Sequence, residues 1–277
     1  VPDLPESVSW LVDKKDLTPQ TRQELDAELS SMIARRTSAE DIANAGRYLR
    51  RRELLRTAMA QVLGVVDALA SRAAVSTAAE IAISAGLEGA VRAACEQARV
   101  SEPFSRYSVI AMGRLGGAEM GYASDADVIF VHDPRPDADE EKAQRLAIDV
   151  ATQLAHLLGG LSTEPQIPVD YDLRPEGRNG RLTRSLAAYA EYYARWAEPW
   201  EYQALLRARP IAGDPELGRE FIALIDPYRY PPKGLEPAKI REIQRIKARV
   251  EAERIPRGVS PQRHLKLGRG GLADVEW

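Results

Sequence analysis

Cysteine is almost missing from this sequence. Cys95 is the single one in 277 residues, so neither an intrachain disulfide framework nor a cysteine-rich zinc site can form. Histidine is scarce as well: His132, His156 and His264 are too scattered to propose a metal cluster. No run of 18 apolar residues is present, so no membrane-spanning helix is expected. No targeting signal is visible, which points to the cytoplasm. An excess of one charge is lacking too, with 38 Lys and Arg against 41 Asp and Glu and a net charge of -3. A general nucleic-acid binder would be clearly basic, so that class is disfavoured. What remains is 44% hydrophobic and 29% charged, the composition of a globular chain long enough for one large domain or two smaller ones. It opens Val1-Pro2-Asp3 without Met and stops at Trp277 inside a motif, so it reads as a piece of something longer.

Charge is distributed unevenly along the chain. Residues 125–140 carry Asp125, Asp127, Asp133, Asp137, Asp139 and Glu140 against Arg135 alone. Two basic stretches follow, with seven Arg to four Glu over 174–209 and nine Arg or Lys to three Glu over 241–269. That order suits a site holding metal ions and polyphosphate together, although ordinary helix surfaces produce similar runs.

Residues 1–100 read as a helical region. Thr18-Pro19 predicts a capped start for a helix over 19–35, Thr37 to Asp41 offers overlapping caps for a second, and Thr77 to Glu80 predicts a capping box for a third. Arg50-Arg51-Arg52 interrupts the apolar stripe of the second helix and reads as a solvated face or a salt-bridged turn. The pattern changes at Pro103. Short β-prone runs occur at 106–112, 126–131 and 167–173, with a helix over 138–158 between the last two. Helices resume over 185–209, 215–225 and 237–254. The layout predicts an α+β protein: an N-terminal helical region over 1–100, a catalytic core over 101–215, and a helical linker with the start of a further helical domain over 216–277.

The chemistry concentrates at Gly116-Gly117, Ser124-Asp125-Ala126-Asp127 and Asp170. In a strand, positions i and i+2 share a face, so Asp125 and Asp127 project together. Paired carboxylates repel unless a cation neutralises them, and Mg²⁺ suits such oxygen donors while keeping room for waters and phosphates. A third carboxylate from a neighbouring strand would complete a two-metal site. Asp170 is the natural choice and Asp172 its rival. Gly116 and Gly117 lack Cβ atoms and let backbone N–H groups approach an anion; Ser124 is either a phosphate ligand or a turn residue. No GxxxxGK[ST] is present, so this is not a Walker loop. Glycine pair, DxD and spacing together point to nucleotidyl transfer. The aromatic residues Tyr189, Tyr192, Tyr193, Trp196, Trp200 and Tyr202 read as a packed helix face.

The stretch from Gly113 to Phe130, with Gly116-Gly117 and Ser124-Asp125-Ala126-Asp127, resembles the signature of the glutamine synthetase adenylyltransferase family. So do Val169 to Gly180, Trp200 to Arg209, Lys247 to Arg249 and the tail from His264 to Trp277. The resemblance implies a polymerase-β-like nucleotidyltransferase core and assigns Asp125, Asp127 and Asp170 to the metals, favouring Asp170 over Asp172. Family members are bifunctional, and the tail Ala273-Asp274-Val275-Glu276-Trp277 looks like the adenylylating half. That implies ATP as co-substrate, Mg²⁺ at a two-metal site, a tyrosine of glutamine synthetase as acceptor, and a PII-type signalling protein as partner of the full enzyme. Gly116, Gly117, Ser124, Arg174, Arg178 and Lys247 are the implied nucleotide contacts, with Arg207, Arg209 and Lys266 as further cations. Two rivals stand beside this reading: phosphorolytic removal of AMP from the same tyrosine, and a non-catalytic module that binds glutamine synthetase or a PII-type protein.

Overall fold

The computed structural model describes residues 4–256 and 258–276. Val1, Pro2, Asp3 and Trp277, used in the sequence reading, lie outside them. Two short 3₁₀ segments, Pro5–Leu11 and Lys14–Leu17, precede α1 (Arg22–Ile33), α2 (Ala39–Val62) and α3 (Ala68–Ala98). The first helix starts later than Thr18-Pro19 predicts. Thr21 is its cap, with Glu24 returning to the Thr21 N–H in a full capping box. For the second helix Ser38 is the cap that forms. The capping box read at Thr77 and Glu80 does not exist: α3 is already helical there, capped by Asp67, and the Thr77 hydroxyl donates back to Ala73 O.

A five-stranded sheet follows. It comprises β1 (Ser105–Ala111), β2 (Ala126–Pro134), β3 (Val169–Asp170), β4 (Thr183–Ser185) and β5 (Arg209–Gly213). β2 runs antiparallel to β1, which pairs antiparallel with β5; β3 and β4 both run parallel to β2 on its other edge. Helices α4 (Gly113–Gly116) and α5 (Glu140–Gly159) lie between the strands in sequence, then α6 (Leu186–Arg195) and α7 (Pro199–Ala204). Beyond β5 come α8 (Pro215–Arg229), α9 (Pro237–Arg254) and α10 (Leu272–Glu276). The α+β class and the flanking helices agree with the sequence reading. The helix expected over 185–209 breaks up instead. Pro199 restarts it as α7, and Pro210 sits in edge strand β5, beside a register shift in the β1 pairing, where a residue without N–H is tolerated. The run 167–173 contributes only two paired residues.

Alternation along β1 and β2 divides the core. Val109, Ala111, Val128 and Phe130 pack with α2, α3 and α5, whereas Ile110, Ile129 and Val131 pack with Tyr189, Tyr193 and Phe221 on α6 and α8. One cluster thus takes residues from both sides of position 100. Helix α3 has the length and composition of a membrane span, a possibility that counting unbroken apolar runs missed. Of that window, 72% is buried inside the protein, so here it is the core helix.

The arginines of α2 are not a solvated face. Arg50 and Arg52 are buried; Arg51 pairs with Glu164 at 2.6 Å and Arg52 with Glu53 at 3.3 Å. Arg47, 2% exposed, donates to the carbonyls of Leu157 (3.0 Å), Gly160 (3.1 Å), Glu164 and Pro165 (3.2 Å). It places a cation where the dipole of α5 ends.

His132 is 1% exposed, meets Thr183 Oγ1 at 3.1 Å, and is pushed by burial down to about 4. Its folded-state pKa lies below the ordinary 6.5, so the unfolded chain binds the proton first. The stability it contributes is full above 6.5 and is lost as pH falls toward 4, by roughly 3 kcal/mol. Urea unfolding between pH 7 and 4.5 should show that decline, and His132→Gln should flatten part of it.

Candidate active site

The site is assembled where β1 and β2 end together. Met112 N donates to Asp127 O (2.8 Å), extending the ladder by one residue, and the chain then turns through α4. Gly113 has φ +49°, and a Cβ there would run into the Asp127 carboxylate. Glycine at this position is therefore what lets that side chain lie against the turn.

Gly116 has a different task. It is buried, and a Cβ would meet Arg207 O and, at 2.8 Å, Ala111 O. It allows the turn to pack directly on the backbone of the 205–208 segment. The Gly116 N–H donates to Met112 O (2.7 Å) and that of Gly117 to Gly113 O (3.2 Å). Both N–H groups expected to face an anion are used inside the turn. Gly116→Ala should cost about 1–3 kcal/mol, because the obstacles are main-chain atoms that cannot rotate away. Denaturant titration would check this, and no loss of stability would refute the packing argument.

The loop beyond α4 is pinned to the N-terminal helices. Met120 N donates to Ser76 Oγ at 3.1 Å and Tyr122 OH to Gln61 at 3.0 Å. Ser124 serves the turn: its hydroxyl accepts from Gly121 N at 3.0 Å. Arg209 fastens the glycine turn from below, donating to Leu115 O (3.1 Å) and Gly116 O (3.2 Å) while pairing with buried Glu80 at 2.6 Å. Glu80 also holds Arg22 of α1 at 3.0 Å.

Asp127 and Asp170 are direct partners in the parallel β2–β3 pair, so they share a face. Asp125 is exposed and precedes the strand by one residue. Burial, then the charges of Asp125 and Asp170, push Asp127 up to about 6; Lys266 and Arg207 pull the other way. The three predicted carboxylates are thus within electrostatic reach of one another. Among the described residues they do not close into a group of three able to hold an ion as they stand. Asp170 Oδ1 accepts from Asp172 N at 2.7 Å. Asp172 is occupied elsewhere, with Arg178 at 2.7 Å and Arg174 at 3.9 Å. In chemistry the set fits a hard dication: oxygen donors only, at one sheet end, with a mutual repulsion that a divalent cation would relieve.

The other predicted contacts are placed less directly. Arg174 donates to Tyr171 O (2.9 Å), Arg178 O (3.0 Å) and Gly180 O (3.0 Å), stapling its own loop. Arg178 is exposed and tied to Asp172. Lys247 on α9 pairs with Asp274 and, at 3.2 Å, with Glu251. A cavity of about 690 Å³ adjoins the triad through Gly113, and its lining includes Arg114, Leu173, Trp200, Gln203 and Arg207. That volume is typical of small-molecule sites. Trp200, expected as part of a packed helix face, lines the cavity instead, and Gln203 was not singled out, because a helical aromatic face gives no sign of which edge borders a cavity. The Trp200 to Arg209 segment was the available signal.

Comparison with known proteins matches residues 3–223 to the family model described as glutamate-ammonia ligase adenylyltransferase. The chain is 52% identical over 234 residues to the bifunctional glutamine synthetase adenylyltransferase/adenylyl-removing enzyme of Mycobacterium avium (strain 104), covering 83% of this chain and 23% of that protein. The identically named proteins of Nocardia farcinica (strain IFM 10152) and Streptomyces avermitilis are 46% and 44% identical across 100% of this chain, covering 28% and 29% of theirs. The chain therefore spans less than a third of the length of these relatives. A glycine turn backed by main chain, a DxD at a strand start and a third aspartate beside it accompany those identities: this chain belongs to the glutamate-ammonia ligase adenylyltransferase family.

Proposed function

We propose that this chain carries the adenylylating activity of its family: Mg²⁺-dependent transfer of AMP from ATP to a tyrosine hydroxyl of glutamine synthetase, releasing pyrophosphate and down-regulating nitrogen assimilation in the cytoplasm. The observation that carries the reading is the pairing of Asp127 with Asp170 at one sheet end, with Asp125 within electrostatic reach, next to a cavity of about 690 Å³. Asp125, Asp127 and Asp170 would hold the metal, with Asp125 and Asp127 shared in a two-metal site. Bound there, Mg²⁺ supplies charge neutralisation for the triphosphate and acidifies the attacking hydroxyl, whose free pKa is about 10.

The chain's own residues orient the reactants. Gly113 gives Asp127 its place, and Gly116 and Gly117 keep the turn low enough for a phosphate to come close. Ser124 shapes the loop before Asp125. Arg207, with Arg114, brings positive charge to the cavity wall, while Arg174 and Arg178 hold the loop that presents Asp170. Trp200, Leu173 and Leu206 offer an apolar wall to a base and exclude water from it. The tyrosine oxygen attacks the α-phosphorus, the bond to the pyrophosphate oxygen breaks, and the hydroxyl proton leaves to solvent. In the longer enzyme a PII-type protein would regulate this site.

Removal of AMP by phosphate, giving ADP, would use the same carboxylates; the family-like tail favours addition. AMP transfer from α-labelled ATP to unmodified glutamine synthetase separates the two, run with Mg²⁺, with EDTA and with Asp125→Asn. Metal-dependent label lost in the variant is the expected result. ADP release from adenylylated target, with no forward label, would reverse the direction. Target binding without chemistry in either direction would identify a recognition module.

A further inference from the structure

Helix α3 belongs to the N-terminal helical stretch, yet its first turns reach the cavity. Arg72 lies there, shortly after the Asp67 cap, and lines the cavity together with Glu119 and Gly121. One hydroxyl fixes its placement. Ser76 Oγ, one turn further along α3, donates to Arg72 O at 2.9 Å and accepts from Met120 N at 3.1 Å. The backbone of Arg72 is thereby tied to the loop that runs from the glycine turn to Asp125.

Three arginines line the cavity, Arg72, Arg114 and Arg207, and they are not equally available. Arg207 is paired with Glu119 at 3.3 Å, and Arg114 has a partner as well. A ligand recruiting either one competes with a contact the protein already makes. The Arg72 side chain is exposed and has no hydrogen bond or ion pair among the described residues. Its guanidinium carries five N–H donors in a rigid fork and can turn to a ligand without giving up a contact. No motif in the sequence marks it, because nothing local to α3 shows that a loop some 45 residues away closes over its first turns.

We propose that Arg72 grips the β- and γ-phosphates of the nucleotide, so that the helical region over 1–100 supplies part of the triphosphate site and makes the chain favour ATP over AMP. The inference rests on the nucleotide reading above. In that reading the α-phosphate belongs at the carboxylates, where the attack takes place. Arg72 stands on the wall built by α3 and the 119–121 loop, away from the carboxylates, so the phosphates within its reach are those beyond the α. A guanidinium fork can hold two of their oxygens at once, which a point charge cannot. The core over 101–215 is then incomplete as a nucleotide site without α3.

The test is calorimetric binding of ATP and of AMP to the full chain with Mg²⁺, with melting temperatures measured on the same samples. Arg72→Met should weaken ATP about 10- to 100-fold, as for loss of one charge-assisted contact, while AMP changes less than about 2-fold. Arg72→Lys should recover part of the ATP affinity, since it returns the charge without the fork. The melting temperature of both variants should stay within about 1 °C of the unaltered chain, because an exposed side chain with no partner holds nothing together. Unchanged ATP affinity in Arg72→Met would overturn the proposal, and so would an equal loss for ATP and AMP. Weaker ATP binding with a clearly lower melting temperature would make Arg72 a structural residue and overturn it as well. If the unaltered chain binds neither nucleotide, the reading of the cavity itself fails and the proposal falls with it. That result is distinct from a failure confined to the variants.

Discussion

Asp127→Asn is expected to abolish AMP transfer and, in the same sample, to make the metal-free chain more stable. The activity loss follows from removing a carboxylate shared by the proposed metals. Charge stabilisation of several kcal/mol corresponds to on the order of 10³-fold or more in rate. The stability gain has an independent origin. Burial and the neighbouring Asp125 and Asp170 push Asp127 from 3.8 to about 6, so the folded state holds its proton more tightly than the unfolded state. For a carboxyl with a raised folded pKa, stability is full below 3.8 and is lost as pH rises through 6. At pH 7.5 the charged form is therefore a burden that a neutral amide removes. With a half-buried side chain the gain is about 1–3 kcal/mol, or several degrees in a chain of this length. Thermal melts at pH 7.5 and pH 5 check it, since the advantage of Asn should shrink at the lower pH. Added Mg²⁺ should raise the melting temperature of the unaltered chain more than that of the variant. A variant that is inactive and also less stable at pH 7.5 would show that Asp127 is a structural acceptor and not a strained ligand.

Arg47→Met is expected to be the most destabilising single change away from the site, at about 3–5 kcal/mol. The guanidinium is almost fully buried and serves four carbonyls. Methionine fills a similar volume but leaves those acceptors at the end of α5 without a donor and withdraws the cation from the helix dipole. Arg47→Lys should recover only part of the loss, because an ammonium cannot span the same fork. The effect should extend to catalysis. The stapled loop continues to Pro168, whose carbonyl accepts from Ala126 N at 2.8 Å, and then to Asp170. Urea unfolding gives the energy and AMP transfer at saturating ATP gives the rate. A stable Arg47→Met chain with full activity would mean that the loop is held by other contacts.

How far these arguments were legible beforehand differs by residue. The DxD and its β-prone flanks marked β2, because alternation along a strand is a local property. Asp170 was also legible, although pattern alone left Asp172 as its rival. The register separates them by setting Asp170 beside Asp127 and leaving Asp172 to Arg174 and Arg178. Short strands were the hardest elements to read. β4 has three residues and β5 contains a proline, so neither carries a period of its own, and both exist only because β2 and β1 offer them an edge.

The amino-acid sequence by itself determined the α+β class, which follows from composition and period, and the family likeness and the aspartates proposed for the chemistry, which follow from motifs and their spacing. Only the tertiary structure decided what the cations do. A charged side chain takes whichever partner lies nearest after folding, and that partner is often far away in the chain. So Arg50 and Arg52 became buried, Arg174 a loop staple, Lys247 a partner of Asp274, and Glu80, read as a helix cap, the buried acid that joins Arg22 to Arg209 under the glycine turn.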